Sequence, residues 1–265
     1  MVDIVIPIYK SKPDSDDIIA LNQVFDVLKE RDFTFIYPEK LNVSYYEINY
    51  NQSKFIAFED FYFADIFGYN QLMLSKKLYD SFYKKYILIY QTDAFVFKNE
   101  LDFWIEKNYD YIGAPWLRSH EKIPFIKLFL EKLSANFKIL INFKGNRKIQ
   151  KDKSLTYNEV GNGGFSLRKR EKFIEILDKI PEVASIYLKN YGDFYNEDIF
   201  WSIEPKRNNI PFSKPNFKEA CLFSIENKQE KALKYNGGKL PFGCHRWNKE
   251  RDFWRKYFAD FGYKI

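Results

Sequence analysis

The order strand, helix, strand within the first 40 residues constrains this chain most. VDIVIPIY at 2–9 is a short β-branched run, closed by Pro7 and Tyr9 and followed by the polar stretch KSKPDSDD. Ile18, Leu21, Val24, Phe25 and Leu28 then recur at helical spacing. Asp14 or Ser15 can cap that helix, and Asp16 and Asp17 sit favourably against its N-terminal dipole. FTFIYP at 33–38 is a second strand, stopped by Pro38. A βαβ unit of this size requires parallel strands and a right-handed crossover, so a doubly wound, Rossmann-like α/β sheet is expected.

Downstream, residues 59–85 read as amphipathic helix and lead into YILIY at 86–90, a central strand by its β-branched and aromatic content. Leu101–Lys107 is expected as a short helix and YDYIGAPW at 109–116 as a strand. GFSLRKREKFIEILDKI at 164–180 reads as a strand turning into a helix, and NEDIFWSIEP at 196–205 as helical. The aromatic and charged tail from Trp247 is expected to pack on the domain. No linker divides these elements, so residues 1–265 are read as a single domain.

Within it, residues 121–153 form a basic amphipathic insertion. Nine cations against three acids give this segment a charge of +6, equal to the net charge of the whole chain. Phe125, Leu128, Phe129, Leu133, Phe137, Leu140 and Ile141 share one broad face of a helix over 124–143. A face of that kind either packs on the core with its lysines solvated or lies on an anionic lipid surface, making 124–148 a candidate peripheral membrane contact. Its aromatics lie apart from its lysines, so no stacking platform for nucleic acid is evident, and no nucleic-acid partner is expected.

Composition narrows the chemistry. With 46% hydrophobic and 20% aromatic residues in 265, the chain can bury a sizeable core. Cys221 and Cys244 are too few for a disulfide framework and stand in no C-x-x-C pair; a reducing, cytoplasmic compartment fits them. The N-terminal run lacks the features of a signal peptide, and no run of about 20 apolar residues spans a bilayer. No G-x-G-x-x-G follows the first strand, and neither a P-loop nor a G-x-S-x-G elbow occurs, which counts against dinucleotide, ordinary NTPase and serine-hydrolase readings. His120 and His245 are the only histidines, so carboxylates must carry most of any catalysis.

Four islands remain. QTDAFVF at 91–97 places Asp93 just beyond a central strand, where open α/β sheets gather their ligands; Asp93 either serves a metal or phosphate site, or caps a turn or pairs with a nearby Lys. GNGGFSLR at 161–168 has glycines that let main chain approach a ligand, or that simply turn the chain. NEDIFW offers Glu197 and Asp198 beside an aromatic pair, and PFGCHRW offers His245 between Gly243 and Trp247.

Taken in order, these islands resemble glycosyltransferases of the GT-A fold. QTDAFVF, YIGAPW, GNGGFSLR, EDIFW and PFGCHRW together are similar to a bacterial family of glycosyltransferase-like proteins found among surface-polysaccharide genes, such as those for lipopolysaccharide or capsule. The resemblance spans residues 2–247. It implies a GT-A domain with a mixed, mainly parallel sheet flanked by helices, and transfer of a sugar from a nucleotide-diphosphate donor, with UDP favoured, to a glycan or lipid-linked hydroxyl. The family's D-x-D element is degenerate here, its first aspartate being Gln91 and its last Asp93. Asp93 and His245 are thereby implied as ligands of Mn²⁺ or Mg²⁺. The same resemblance implies Asp198 as general base with inversion at the anomeric carbon, and Glu197 as the residue that orients acceptor or base. Pro7, Tyr9, Gln91, Gly163, Gly164 and Arg168 fall on the donor side, with Tyr9 placed to stack on the base; Trp116, Trp201 and Arg246 are candidate sugar contacts. Should the cation be absent, Arg168 and Arg246 are the residues to meet the diphosphate. The missing first aspartate also permits a catalytically idle nucleotide- or sugar-binding protein on the same scaffold.

Overall fold

The computed structural model describes residues 2–118 and 153–265, together with 126, 129–131, 133, 134 and 137. The predicted βαβ start is present. β1 (Val2–Pro7) pairs in parallel with β2 (Asp32–Pro38), and the helix Ser15–Val27 crosses between them. Asp14 caps that helix by accepting from the backbone of Asp16 and Asp17, and Asp17 reciprocates on the Asp14 N–H, a capping box that fixes where the helix begins.

Among the described residues the main sheet has six strands, in the order β3 (Lys54–Phe58), β2, β1, β4 (Tyr86–Tyr90), β7 (Phe165–Lys169) and β6 (Tyr111–Ile112). β3, β2, β1 and β4 are parallel, whereas β7 runs antiparallel to β4, with β6 beyond it. Alternation along β1 and β4 divides the core in two. Ile4, Ile6, Leu88 and Tyr90 face one layer with the Ser15–Val27 helix; Val5, Ile87 and Ile89 face the other, with Phe173, Phe200 and Trp201. A second, three-stranded sheet orders β5 (Phe95–Val96), β9 (Gly243–Cys244) and β8 (Ser224–Ile225). Trp247, Trp254 and Phe258 of the tail are buried against it, as expected, the last two on the helix Arg251–Ala259. Cys221 and Cys244 are buried free thiols.

Three sequence expectations change. The helix expected over 59–85 is a 3₁₀ turn (Asp60–Phe63) and two short helices (Ile66–Met73, Lys76–Asp80), because Asp65 and Ser75 each restart the chain by accepting from Gly68 N and Leu78 N. The strand expected over 109–116 is regular only at Tyr111–Ile112. At Gly113 an added Cβ would lie 2.1 Å from Gly161 O, and an isolated bridge, Pro115 to Val160, continues the pairing. β3 was not anticipated; it is an edge strand of mixed exposure. The basic insertion 121–153 lies largely outside the described residues, and so does most of the predicted contact 124–148. Within it, the helical residues Ile126, Leu130, Leu133 and Phe137 are exposed. Among the described residues no helix is long and apolar enough to cross a membrane.

Candidate active site

The carboxyl ends of β1 and β4 open on a cleft of about 460 Å³ whose walls include Pro7, Tyr9, Tyr69, Gln91, Asp93 and Asn248. Tyr9 is 59% exposed there. One buried carboxylate sets the turn between Gln91 and Asp93. Asp17 accepts from Thr92 Oγ1 at 2.5 Å and from Lys10 Nζ at 2.9 Å, tying the loops after β4 and β1 to the start of the first helix.

His245 reaches this turn through the small sheet. Pairing of Phe95 with Cys244 and of Ile225 with Cys244 puts Asp93, Glu226 and His245, far apart in sequence, at one end of three short strands. His245 N donates to Ile225 O at 3.0 Å, and Trp247 N to Asp93 O at 3.3 Å. The imidazole Nε2 then lies 3.0 Å from Asp93 Oδ1 and 3.0 Å from Gln91 Oε1, while Nδ1 faces Glu226 Oε1 at 3.7 Å. Burial would lower the His245 pKa, but Asp93 and Glu226 outweigh it and lift it to about 9. In turn, the imidazole holds both Asp93 and Glu226 below the usual carboxylate range despite their burial.

The glycines close the other side. Gln91 N donates to Gly164 O at 2.9 Å, continuing the β4–β7 register by one residue. A Cβ on Gly164 would lie 2.2 Å from His245 Nε2 and 2.5 Å from Gln91 Oε1, and one on Gly163 would lie 1.8 Å from Glu197 Oε1. Both positions require glycine because side chains of the site lie against the backbone. Gly161 serves Trp116 in the same way, since its Cβ would meet the half-buried indole at 2.0 Å.

Asp198 stands in the first turn of the helix Glu197–Arg207, its Oδ1 accepting from Ile199 N at 2.8 Å. Burial first, then the nearby charges of Glu197 and Glu226, push its pKa up to about 8. Asn70 fastens this helix to the cleft wall: its Oδ1 accepts from Glu197 N and its Nδ2 donates to Asn196 Oδ1, each at 3.0 Å.

Two candidates move away from substrate. Arg168 is fully buried, with Nε donating to Ser166, Nη1 to Tyr79 OH, and Nη2 to Gly163 O and to Glu197 Oε1 at 2.9 Å. It is therefore part of the core rather than a diphosphate contact, and the carboxylate of Glu197 is taken up as its counter-ion. Trp201 is also fully buried, 4.1 Å from the Phe173 ring and 4.8 Å from Phe200, so it cannot stack on a sugar. Arg246 remains exposed beside Glu226, in the left-handed region (φ 54°), with Nη1 3.4 Å from Glu226 Oε1. Glu226 is the site residue that the sequence reading missed. Its signal was an apolar stretch, CLFSI at 221–225, ending on an acid, much as YILIY leads to Asp93.

The donors around His245 Nε2 have the chemistry of a cation site. Among the described residues no three of His, Cys, Asp and Glu converge on one point, and the third donor is the amide oxygen of Gln91. Two oxygens 3.0 Å from one nitrogen match the spacing of adjacent octahedral ligands, roughly 3.0 Å for bonds near 2.1 Å. Asp93 Oδ1 is buried, and among the described residues no well-aligned hydrogen bond reaches it, the 3.0 Å contact with His245 Nε2 included.

A family described as "Protein of unknown function (DUF5672)" matches residues 52–245. No curated protein matches the chain. Among solved structures, apo mouse xyloside xylosyltransferase 1 is similar with a TM-score of 0.50 at 9% identity, over 92% of this chain and 97% of that one. The galactosyltransferase LgtC, in complex with donor and acceptor sugar analogs, gives 0.50 at 12% identity, and an active-site mutant of LgtC 0.52 at 13%, each over 92% of this chain and 86% of the other. At these identities the likeness is one of fold, and the fold is GT-A.

Proposed function

The chain belongs to the DUF5672 family, so its activity has to be read from its site, and we propose that it is a glycosyltransferase using a nucleotide-diphosphate sugar. The observation that carries this reading is the convergence of Asp93, Gln91 and His245 at the strand-end cleft, beside glycines that leave room for nothing else. Tyr9 stacks on the nucleotide base, with UDP the favoured donor. Asp93, His245 and Gln91 would hold Mn²⁺ or Mg²⁺, which when bound neutralises charge on the departing diphosphate.

Asp198, once ionised, takes the proton from an acceptor hydroxyl. That oxygen bonds to the anomeric carbon as the carbon–oxygen bond to the diphosphate breaks, giving inversion. A carboxyl near pH 8 suits this role, because a general base works best with a pKa close to the operating pH. Glu197 supports Asp198 indirectly, through the Arg168 pair that anchors the start of its helix. Arg246, exposed beside Glu226, meets the acceptor or the diphosphate, and Trp116 meets the acceptor.

Release of nucleoside diphosphate from a panel of UDP- and GDP-sugars, with and without Mn²⁺ and simple glycan acceptors, tests the reading. One donor class turned over only with the metal is expected; no release from any donor would favour the idle-binder alternative. Gly164→Ala should weaken metal-dependent donor binding at least tenfold, by displacing His245 and Gln91, as read by calorimetric titration. For a lipid-carried acceptor, exposed Ile126, Leu130, Leu133 and Phe137 on the lysine-rich segment form the membrane contact. Replacing Ile126 and Leu133 by Asp should abolish sedimentation with anionic liposomes, and unchanged sedimentation would sink that contact.

A further inference from the structure

Glu226 is a buried acid that the transfer chemistry does not use. It is 8% exposed, and a carboxylate taken so far from water costs several kcal/mol unless charged or hydrogen-bonding partners compensate it, so the site has to require it there. Its surroundings identify the requirement. The parallel pairing of β8 with β9 sets Glu226 beside His245, both residues lying one position beyond the paired Ile225 and Cys244. The imidazole is thereby held between two different faces. Nε2 looks at Asp93 Oδ1 and Gln91 Oε1, both at 3.0 Å; Nδ1 looks at Glu226 Oε1, at 3.7 Å. Arg246 bears on the same oxygen from outside, at 3.4 Å, from a backbone conformation that a non-glycine residue rarely adopts.

We propose that Glu226 is the positioning residue for His245: it keeps the proton on Nδ1 and so presents the Nε2 lone pair to a divalent cation shared with Asp93 and Gln91. When a cation displaces the Nε2 proton and the other proton stays on the Glu226 side, three lone-pair donors converge on one point, an arrangement that a cation satisfies and water does not. Without an acceptor behind Nδ1, the ring is free to take the other tautomer and donate Nε2–H to Asp93 or Gln91, which closes the site. Arg246 bears on the same carboxylate oxygen that faces Nδ1 and so keeps it beside the ring. The inference rests on the metal-dependent reading of the site given above.

The test uses Mn²⁺ alone, titrated into the 265-residue protein and followed by the electron paramagnetic resonance signal of the free ion. Glu226→Gln, which can turn its amide NH₂ toward Nδ1 and select the wrong tautomer, is expected to weaken Mn²⁺ binding 10- to 100-fold. The decisive readout is the cycle with His245→Ala. In that background Glu226→Gln should change the residual Mn²⁺ affinity less than twofold, whereas a merely structural role would weaken it again. Equal affinity of wild type and Glu226→Gln would overturn the positioning role while leaving the nucleotide-sugar reading intact. Failure of the wild type itself to bind Mn²⁺, with or without UDP, would remove the metal from that reading and this inference with it. If Glu226→Gln does not fold, Glu226→Asp carries the same test, because it keeps the charge but withdraws it from the ring; wild-type affinity in that variant would count against the role.

Discussion

Asp198→Asn is expected to lower transfer by about 10²- to 10⁴-fold while making the protein more stable at pH 8. The two effects share one cause. Burial and the charges of Glu197 and Glu226 raise the Asp198 pKa from its ordinary 3.8 to about 8, so the folded protein binds this proton more tightly than the unfolded chain does. Below pH 4 the carboxyl is protonated in both states and its ionisation has no effect on folding. Between pH 4 and 8 its contribution grows steadily more destabilising, and above 8 it levels off. Asn keeps the shape and can still accept from Ile199 N, but carries no charge to lose. The gain should be on the order of 2–3 kcal/mol at pH 8, after allowance for solvent reaching the half-buried carboxylate, and near zero at pH 4. Thermal unfolding of both proteins at the two pH values measures it. In the wild type, kcat/KM should rise with pH to a plateau above about 8, since the base must be ionised; a pH-independent rate would remove Asp198 from that role.

Glu197→Ala should have the largest effect on folding, about 3–5 kcal/mol, because it leaves the guanidinium of Arg168 without a counter-charge at zero exposure. Burial opposes that charge, yet Glu197 with Tyr79 and Tyr111 keeps Arg168 protonated. For a chain of this size the loss corresponds to a fall in Tm of roughly 10 °C. Replacing the pair together by apolar residues of similar volume should recover much of the loss, since the cost lies in the orphaned charge. Urea denaturation of the single and double variants measures both effects. A single variant as stable as the wild type would mean that water reaches Arg168.

How much could be read in advance follows from how local each signal is. β1, β2, β4 and the Ser15–Val27 helix carry their period and caps in contiguous residues, and they appeared where the pattern put them. Asp93 was legible because it follows a short apolar run and His245 through the resemblance that PFGCHRW helps to carry, although only the small sheet brings them within 3.0 Å. Arg168 was misread. SLRKRE looks like a strand with solvated cations, and its partner Glu197 is 29 residues away on another element. Trp201 likewise lies beside an acidic pair in sequence but one helical turn deeper in space. β3 has an edge strand's mixed exposure and no alternation strong enough to mark it.

The central claim, a nucleotide-diphosphate sugar held at the strand-end cleft through Asp93 and a cation, is tested most directly by nucleotide binding. UDP, GDP and CMP would be titrated into wild type and Asp93→Ala, with and without Mn²⁺, and stabilisation followed by thermal shift. The account predicts that a nucleoside diphosphate, UDP in the favoured case, stabilises the wild type only with Mn²⁺ and that Asp93→Ala loses the effect. Stabilisation that is indifferent to both Mn²⁺ and Asp93, or none by any nucleotide, would contradict it.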